Sequence, residues 1–165
     1  MDQIPEFWRA EIWHPLSVHF PIALLIFSSL SFIISLFIKD ASRSRWQFMF
    51  KVLLIVGVAA AWIAIFTGDM AGGEVNRKIC DPTILKDHEI KAYTTTILFT
   101  VALAIELLTK LPALLRFKKV LSWLILMLLL VGNGFLISTG HLGASLVYQQ
   151  GAGVYHPSGD CIEFQ

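Results

Sequence analysis

The sequence predicts an all-α membrane protein in which four transmembrane helices form an up-down bundle with both termini outside. Of the 165 residues 56% are hydrophobic, and the charged residues mostly lie in short segments between four long apolar runs. Each run has about 18–23 residues, which is enough to cross a bilayer, and a backbone in lipid must satisfy its own hydrogen bonds as a helix. With short connections between the runs, we expect one transmembrane domain.

The apolar runs and the segments that join them divide the chain. The expected spans are, in order, 16–38, 48–68, 92–109 and 120–139. We expect an outer loop over 69–91 and an outer tail over 140–165. The formal net charge of +1 gives no electrostatic footprint for nucleic acid, so the expected surroundings are a lipid bilayer.

Proline and glycine mark the expected helix ends. A residue before proline avoids the α region, so His14-Pro15 places residue 14 at or just before the start of helix one. Gly68 is expected to close helix two, with a turn at the following Gly-Gly pair. Helix four is expected to continue past the membrane until Gly151 and Gly153 stop it.

The Lys and Arg residues predict the orientation. Eight lie on one side of the expected bundle: Lys39, Arg43, Arg45, Lys51, Lys110, Arg116, Lys118 and Lys119. Five lie on the other side, diluted by acids: Arg9, Arg77, Lys78, Lys86 and Lys91. The positive-inside rule therefore places both termini and the histidines on the outer face of a bacterial cytoplasmic membrane, toward the periplasm or exterior.

Three histidines lie at one expected membrane level. His19 precedes the cationic end of its run by 20 residues, and His88 and His141 are each separated from theirs by 22. At about 1.5 Å per residue these distances are all roughly 30–33 Å, the thickness of a bilayer core. His14 lies about one turn above that level.

Imidazoles from facing helices predict a haem b site, because two axial nitrogens and a slot for the porphyrin are what such a site needs. His19 with His141 is the first expected pair, since Gly134 leaves room below His141 on the same face. His19 with His88 is the second. His14 would ligate a second haem or support the first, and Asp69 could accept an imidazole N–H.

Two other interpretations stay open. The same three histidines, His19, His141 and His88, could bind copper or zinc instead of haem. The chain could also bind no cofactor and act as a scaffold subunit of a membrane complex. As a redox protein it would be an electron carrier or subunit rather than a stand-alone enzyme, exchanging electrons with quinone and an outer-face redox protein or larger respiratory complex.

Four other residues carry local expectations. Cys80 and Cys161 both fall on the expected outer face, where an even pair predicts a disulfide between loop and tail. Glu106 is expected to pair with Lys110 four residues later on the same helix face. Asn133 must find a polar partner at membrane depth, most simply across the bundle.

Three segments carry a family resemblance: HPLSVHFPIALL at 14–25, FTGD at 66–69 and GHLGASLVYQQGAGV at 140–154. Together with His88 leading the third span, they resemble bacterial membrane proteins of domain-of-unknown-function family twenty-two thirty-one. The chain departs from that pattern at Ala144, where the family would have a second glycine. The resemblance implies a four-helix membrane bundle over about 13–154. The resemblance implies no established activity. Some members of the family are fused to Rieske-type or cytochrome domains, which would imply a redox function at the outer face of the membrane.

Overall fold

The computed structural model describes residues 6–154, and these form a bundle of four long helices. The helices are α1 (Ala10–Phe37), α2 (Ser42–Val75), α3 (Pro82–Leu108) and α4 (Lys118–Tyr148), with a short 3-10 helix at Pro112–Phe117 before α4. Each long helix is apolar and long enough to cross a membrane. The predicted all-α, four-span fold class is confirmed.

Short connections make successive helices antiparallel, so the bundle has two distinct ends. We call the end that carries the start of α1 and α3 and the end of α2 and α4 the histidine end. The opposite end, with residues 38–45 and 109–119, is called the basic end. The α1–α2 pair and the α3–α4 pair make the closest helix packing, and each pair is called a hairpin below.

The helices extend past the apolar runs at the histidine end, which corrects two expected boundaries. α1 begins at Ala10, so His14 and Pro15 lie within the helix rather than at its start. α2 continues through Gly68 to Val75, so the expected loop 69–91 shrinks to residues 76–81. Gly68 lies in the helix because a neighbouring ring packs directly on its backbone, a use of glycine that sequence does not distinguish from a helix stop.

The end of α4 follows the expectation. The helix continues through the histidine at 141 to Tyr148. Gly151 and Gly153 then adopt φ values of 67° and 70°, which only glycine reaches without strain, and the Ala152 amide donates to the carbonyl of Leu146. The chain is turned back here, and the Gly153 carbonyl accepts a hydrogen bond from the Arg9 guanidinium at 3.3 Å.

A glycine in each hairpin lets a large side chain reach the centre of the bundle. A Cβ added at Gly57 would lie 2.8 Å from Cδ2 of Leu25, and one added at Gly132 would lie 2.9 Å from Cε2 of Phe99. Leu25 and Phe99 are both 0% exposed. The small residues therefore serve close packing between helices, as is usual in membrane bundles.

The two hairpins repeat one another. Phe99 lies 74 positions after Leu25, and Gly132 lies 75 positions after Gly57. Under the same offsets buried residues coincide at five further places: Pro21 with Thr95, Ser28 with Ala102, Phe50 with Ile125, Leu54 with Leu129 and Ala71 with Leu146. Several inward-facing positions of the first hairpin thus recur in the second at a nearly constant offset.

Polar contacts join the hairpins below the histidine end, among them a hydrogen bond from Trp62 Nε1 to Thr100 Oγ1 at 3.2 Å. Asn133 Nδ2 donates to Ser29 Oγ at 2.7 Å, which confirms the expected partner across the bundle. Glu106 pairs with Lys51 of α2 at 3.2 Å and not with Lys110 as expected. The reason is that α3 ends at Leu108, so Lys110 lies in the following turn and the i,i+4 geometry is lost.

Candidate functional site

His14 is the first of two histidines that point into the bundle at the histidine end. Its Nδ1 lies 3.0 Å from the backbone carbonyl oxygen of Ala64 in α2. One turn further along α2, a Cβ added at Gly68 would lie 3.0 Å from Cε1 of the same ring. The imidazole therefore rests on the bare backbone of Gly68 while a carbonyl holds one edge of it.

His88 makes the same two contacts in the second hairpin. Its Nδ1 lies 3.0 Å from the carbonyl oxygen of Thr139 in α4. A Cβ added at Gly143, again four residues later, would lie 3.2 Å from Cε1 of the ring. His88 and His14 are related by the 74-residue offset, and the α4 and α2 partners by the 75-residue offset, so the repeat includes this site.

The carbonyl partners fix the tautomer of both rings. A carbonyl oxygen can only accept, so the Nδ1 of His14 and of His88 must carry the hydrogen and donate it. In a neutral imidazole the other nitrogen, Nε2, then has a free lone pair. A backbone carbonyl on Nδ1 with Nε2 left free is the arrangement that orients histidine ligands in metal sites.

The two rings face each other across the diagonal of the bundle, from α1 to α3. Their centroids are 6.0 Å apart and their planes are nearly perpendicular, at 85°. With nitrogen–metal distances of about 2.0–2.1 Å and a centroid roughly 1.1 Å behind each nitrogen, imidazoles on opposite sides of one ion would be about 6.2–6.4 Å apart. The observed 6.0 Å is close to this separation, and it is also the spacing of a direct edge-to-face contact between two rings.

The expected first pair, His19 and His141, does not form this arrangement, because both side chains are exposed. Helix geometry explains the difference: five residues after His14, at about 100° per residue, His19 is turned by about 140° away from the inward face. His141 lies two residues from Thr139 and two from Gly143, which is about 200° from each.

Gly134 is also exposed, and a Cβ added there would meet nothing within 4 Å. It faces outward and leaves no slot below His141 in the bundle interior. Asp69, expected to hold an imidazole N–H, instead accepts a hydrogen bond from Tyr93 Oη at 2.8 Å. This contact ties α2 to α3 beside the histidine pair.

No third ligand joins the pair within residues 6–154, where no group of three or more His, Cys, Asp or Glu side chains is placed to hold a metal ion. Of the two acids that flank His88 in sequence, Asp87 is exposed and Glu89 pairs with Lys86 at 3.2 Å. Cys80 is exposed, and Cys161 and His156 lie outside the described residues, so the expected disulfide stays a prediction.

Lys91 places a positively charged side chain about one helical turn after His88 in α3. Lys91 Nζ donates to Ser138 Oγ at 2.8 Å, across the α3–α4 contact. Thr95, the next residue on this face of α3, has its hydroxyl 3.4 Å from that of Thr139. The anchor of His88 is thus surrounded by hydroxyl groups and one ammonium group.

One sequence signal would have identified the two histidines that face inward. Gly57 and Gly68 are eleven residues apart, as are Gly132 and Gly143, and His14 and Leu25 have the same spacing as His88 and Phe99. These matched spacings reveal the repeat and make His14 the counterpart of His88. If the repeat is not considered, Pro15 suggests that His14 lies outside the helix.

Comparison with known proteins agrees with the fold. The model of a family described as "Predicted membrane protein (DUF2231)" matches residues 12–156. A search of curated proteins and a search of solved structures each found no match. The match covers most of the 165 residues and confirms the family indicated by the motifs at 14–25 and 140–154. The chain belongs to the DUF2231 family of predicted membrane proteins.

Proposed function

We propose that this protein is a membrane haem-b-binding electron-transfer protein, or the haem-carrying subunit of a redox complex, with His14 and His88 as the two axial ligands. One observation carries the proposal. Two imidazoles from diagonal helices face each other at 6.0 Å, each with Nδ1 bound to a carbonyl and Nε2 free. Bis-histidine ligation inside a helix bundle needs this donor arrangement.

The number of donors favours haem over zinc. A porphyrin supplies four nitrogens, so iron needs two from the protein, whereas a zinc site takes three or four protein ligands. Within residues 6–154 the structure brings two histidines together without a third donor. Copper, which imidazole also suits, is the second candidate, because two opposed imidazoles can hold one copper ion without further protein ligands.

The protein's own groups would set the properties of the site. The carbonyls of Ala64 and Thr139 hold both rings in the ligating tautomer, and Gly68 and Gly143 let the rings lie close to the helix backbones. A bound haem supplies reversible one-electron chemistry. The bundle around it keeps water and competing ligands away from the imidazoles.

The charge distribution indicates the side of the membrane on which the haem would lie. The excess of Lys and Arg at the basic end favours that end on the cytoplasmic side, with the histidine end at the outer face of a bacterial cytoplasmic membrane. A haem there would pass electrons between the quinone pool and a redox partner or respiratory complex at the outer surface.

The testing experiment is a reduced-minus-oxidised visible spectrum of the full chain, purified in mild detergent from haem-supplied cells, with haem measured as the pyridine haemochrome. We expect a sharp α band and one haem per chain. His14→Ala and His88→Ala should each lose the band, while His19→Ala and His141→Ala, which change exposed histidines, should keep it.

Any other result of this experiment would indicate a different ligand, a different ligand pair or a different function. A colourless protein that contains copper, lost in His14→Ala, would replace haem by the copper candidate. A protein with neither haem nor copper would refute both candidates and leave the scaffold role. Loss of the band in His19→Ala and His141→Ala, with retention in His14→Ala, would show that the ligands are the exposed pair.

A further inference from the structure

Lys91, which directly precedes the expected third span, is a partly buried cation without a carboxylate partner among the described residues. The ion pairs in that part of the chain are Arg9–Glu11, Lys51–Glu106 and Lys86–Glu89, and none includes Lys91. Its ammonium group has a neutral partner, Ser138 Oγ at 2.8 Å, in a partly buried setting. A partly buried charge is costly unless an opposite charge or a polar site compensates it.

The ammonium group lies level with the histidine pair although Lys91 is one turn deeper. Side chains on a helix lean toward its N-terminus, which for α3 is the histidine end. Ser138, the residue that Nζ contacts, directly precedes Thr139, whose carbonyl anchors His88. An anion held by Lys91 would therefore lie beside the His88 ligand.

The repeat breaks at this position. The counterpart of Lys91 in the first hairpin, 74 residues earlier, is Ser17, whose hydroxyl lies 2.8 Å from Thr67 Oγ1. The first hairpin thus has a neutral hydroxyl where the second carries a positive charge. A ligand between the hairpins would meet a cation on the α3–α4 side.

We propose that Lys91 and Ser138 form a subsite for a carboxylate group of the bound tetrapyrrole, one of the propionates that haem b carries. This inference rests on the proposed function. The α2–α3 side is a poor place for the carboxylate, because Asp69 and Glu89 already lie there, bound to Tyr93 and Lys86. On the α3–α4 side the ammonium donates to the carboxylate and the serine hydroxyl supplies a second donor.

The test compares haem b with its dimethyl ester, in which both carboxylates are blocked, by titrating each into the haem-depleted full chain. Wild type should bind haem b more tightly than the ester by roughly 10- to 100-fold, the range of a charge-assisted hydrogen bond. Lys91→Gln should lose most of that preference by weakening haem b alone. Lys91→Arg should keep it, and so should Lys78→Gln, which removes an exposed lysine at the same end of the bundle.

The outcomes separate this inference from the function on which it rests. Equal binding of haem and ester by wild type would overturn the carboxylate subsite and leave the haem proposal standing. A Lys91→Gln variant that weakens both compounds equally would show a structural role, and one that keeps the preference would show that Lys91 serves another anion, such as a lipid phosphate. Each of these overturns the inference. Binding of neither compound by wild type would overturn both proposals.

Discussion

Replacing Gly68 by alanine should destabilise the bundle by displacing the His14 ring. The new Cβ would lie 3.0 Å from Cε1 and 3.1 Å from Nδ1 of that ring. Carbon atoms prefer separations of about 3.5–4.0 Å, so the ring must retreat by roughly half an ångström. The bond from Nδ1 to the Ala64 carbonyl, now 3.0 Å, would then exceed the usual limit of about 3.2 Å for a hydrogen bond.

The energetic terms give a net loss. Overpacking costs about 1–3 kcal/mol and the lost hydrogen bond about 1 kcal/mol, while replacing glycine by alanine within a helix returns about 0.8–1.0 kcal/mol. We therefore expect Gly68→Ala to lower the free energy of unfolding by about 1–3 kcal/mol. Gly143→Ala, where the Cβ would lie 3.2 Å from His88, should act in the same direction and more weakly.

Gly134→Ala is the matched control, because a Cβ there meets nothing within 4 Å. Its stability should stay equal to wild type or rise by up to about 1 kcal/mol through helix propensity. The assay is equilibrium unfolding of the three variants in detergent micelles, with haem content measured on the same samples. If Gly68→Ala proved as stable as Gly134→Ala and bound the same amount of haem, the packing of His14 on Gly68 would be refuted.

Two further predictions concern the basic end and the start of α3. Lys51→Gln should destabilise the protein by about 1–3 kcal/mol because it leaves the Glu106 carboxylate, 12% exposed, without its cation, whereas Lys110→Gln should change stability by less than about 0.5 kcal/mol. Thermal unfolding checks this, and equal effects would contradict the assigned pair. Hydrogen bonds from Thr83 lower the pKa of Asp81, so the cap of α3 should persist below the ordinary carboxyl range and be lost as the pH falls through the lowered value. An NMR titration of Asp81 with a midpoint at or above that range would argue against the cap.

The sequence was sufficient for the class and the number of helices, because both depend on run length and composition. It placed His19 at the level of His88, whereas the ring that lies 6.0 Å from that of His88 belongs to His14, five residues earlier in α1. It was insufficient for helix ends at glycine and proline. Gly68 has the same sequence signature whether it ends a helix or receives a ring, and the choice depends on His14, which lies 54 positions earlier. Pro15 likewise suggested a helix start, yet five helical residues precede it.

The inward-facing pair, His14 with His88, was not the first pair expected, for a related reason. Run length indicates roughly how deep a residue lies, but the direction of a side chain around the helix axis depends on helix rotation. Rotation is set by interhelical contacts such as Phe99 against Gly132, which no single run reveals. The repeat contains that information, since equal spacings in the two halves indicate which residues face inward.

The histidine–carbonyl bonds also determine how far each helix can slide along its partner. Apolar faces in lipid offer little resistance to a shift by one turn, because lipid tails solvate exposed side chains about as well as a neighbouring helix does. Here a one-turn slide of α1 past α2 would move His14 about 5.4 Å from the Ala64 carbonyl, and a slide toward the basic end would bring the ring against the Ala64 side chain instead of Gly68. In the second hairpin the same slide would bring the His88 ring against Thr139 instead of Gly143. The two inward-facing histidines thus help to set the axial register of both hairpins, together with the packing of Leu25 on Gly57 and of Phe99 on Gly132.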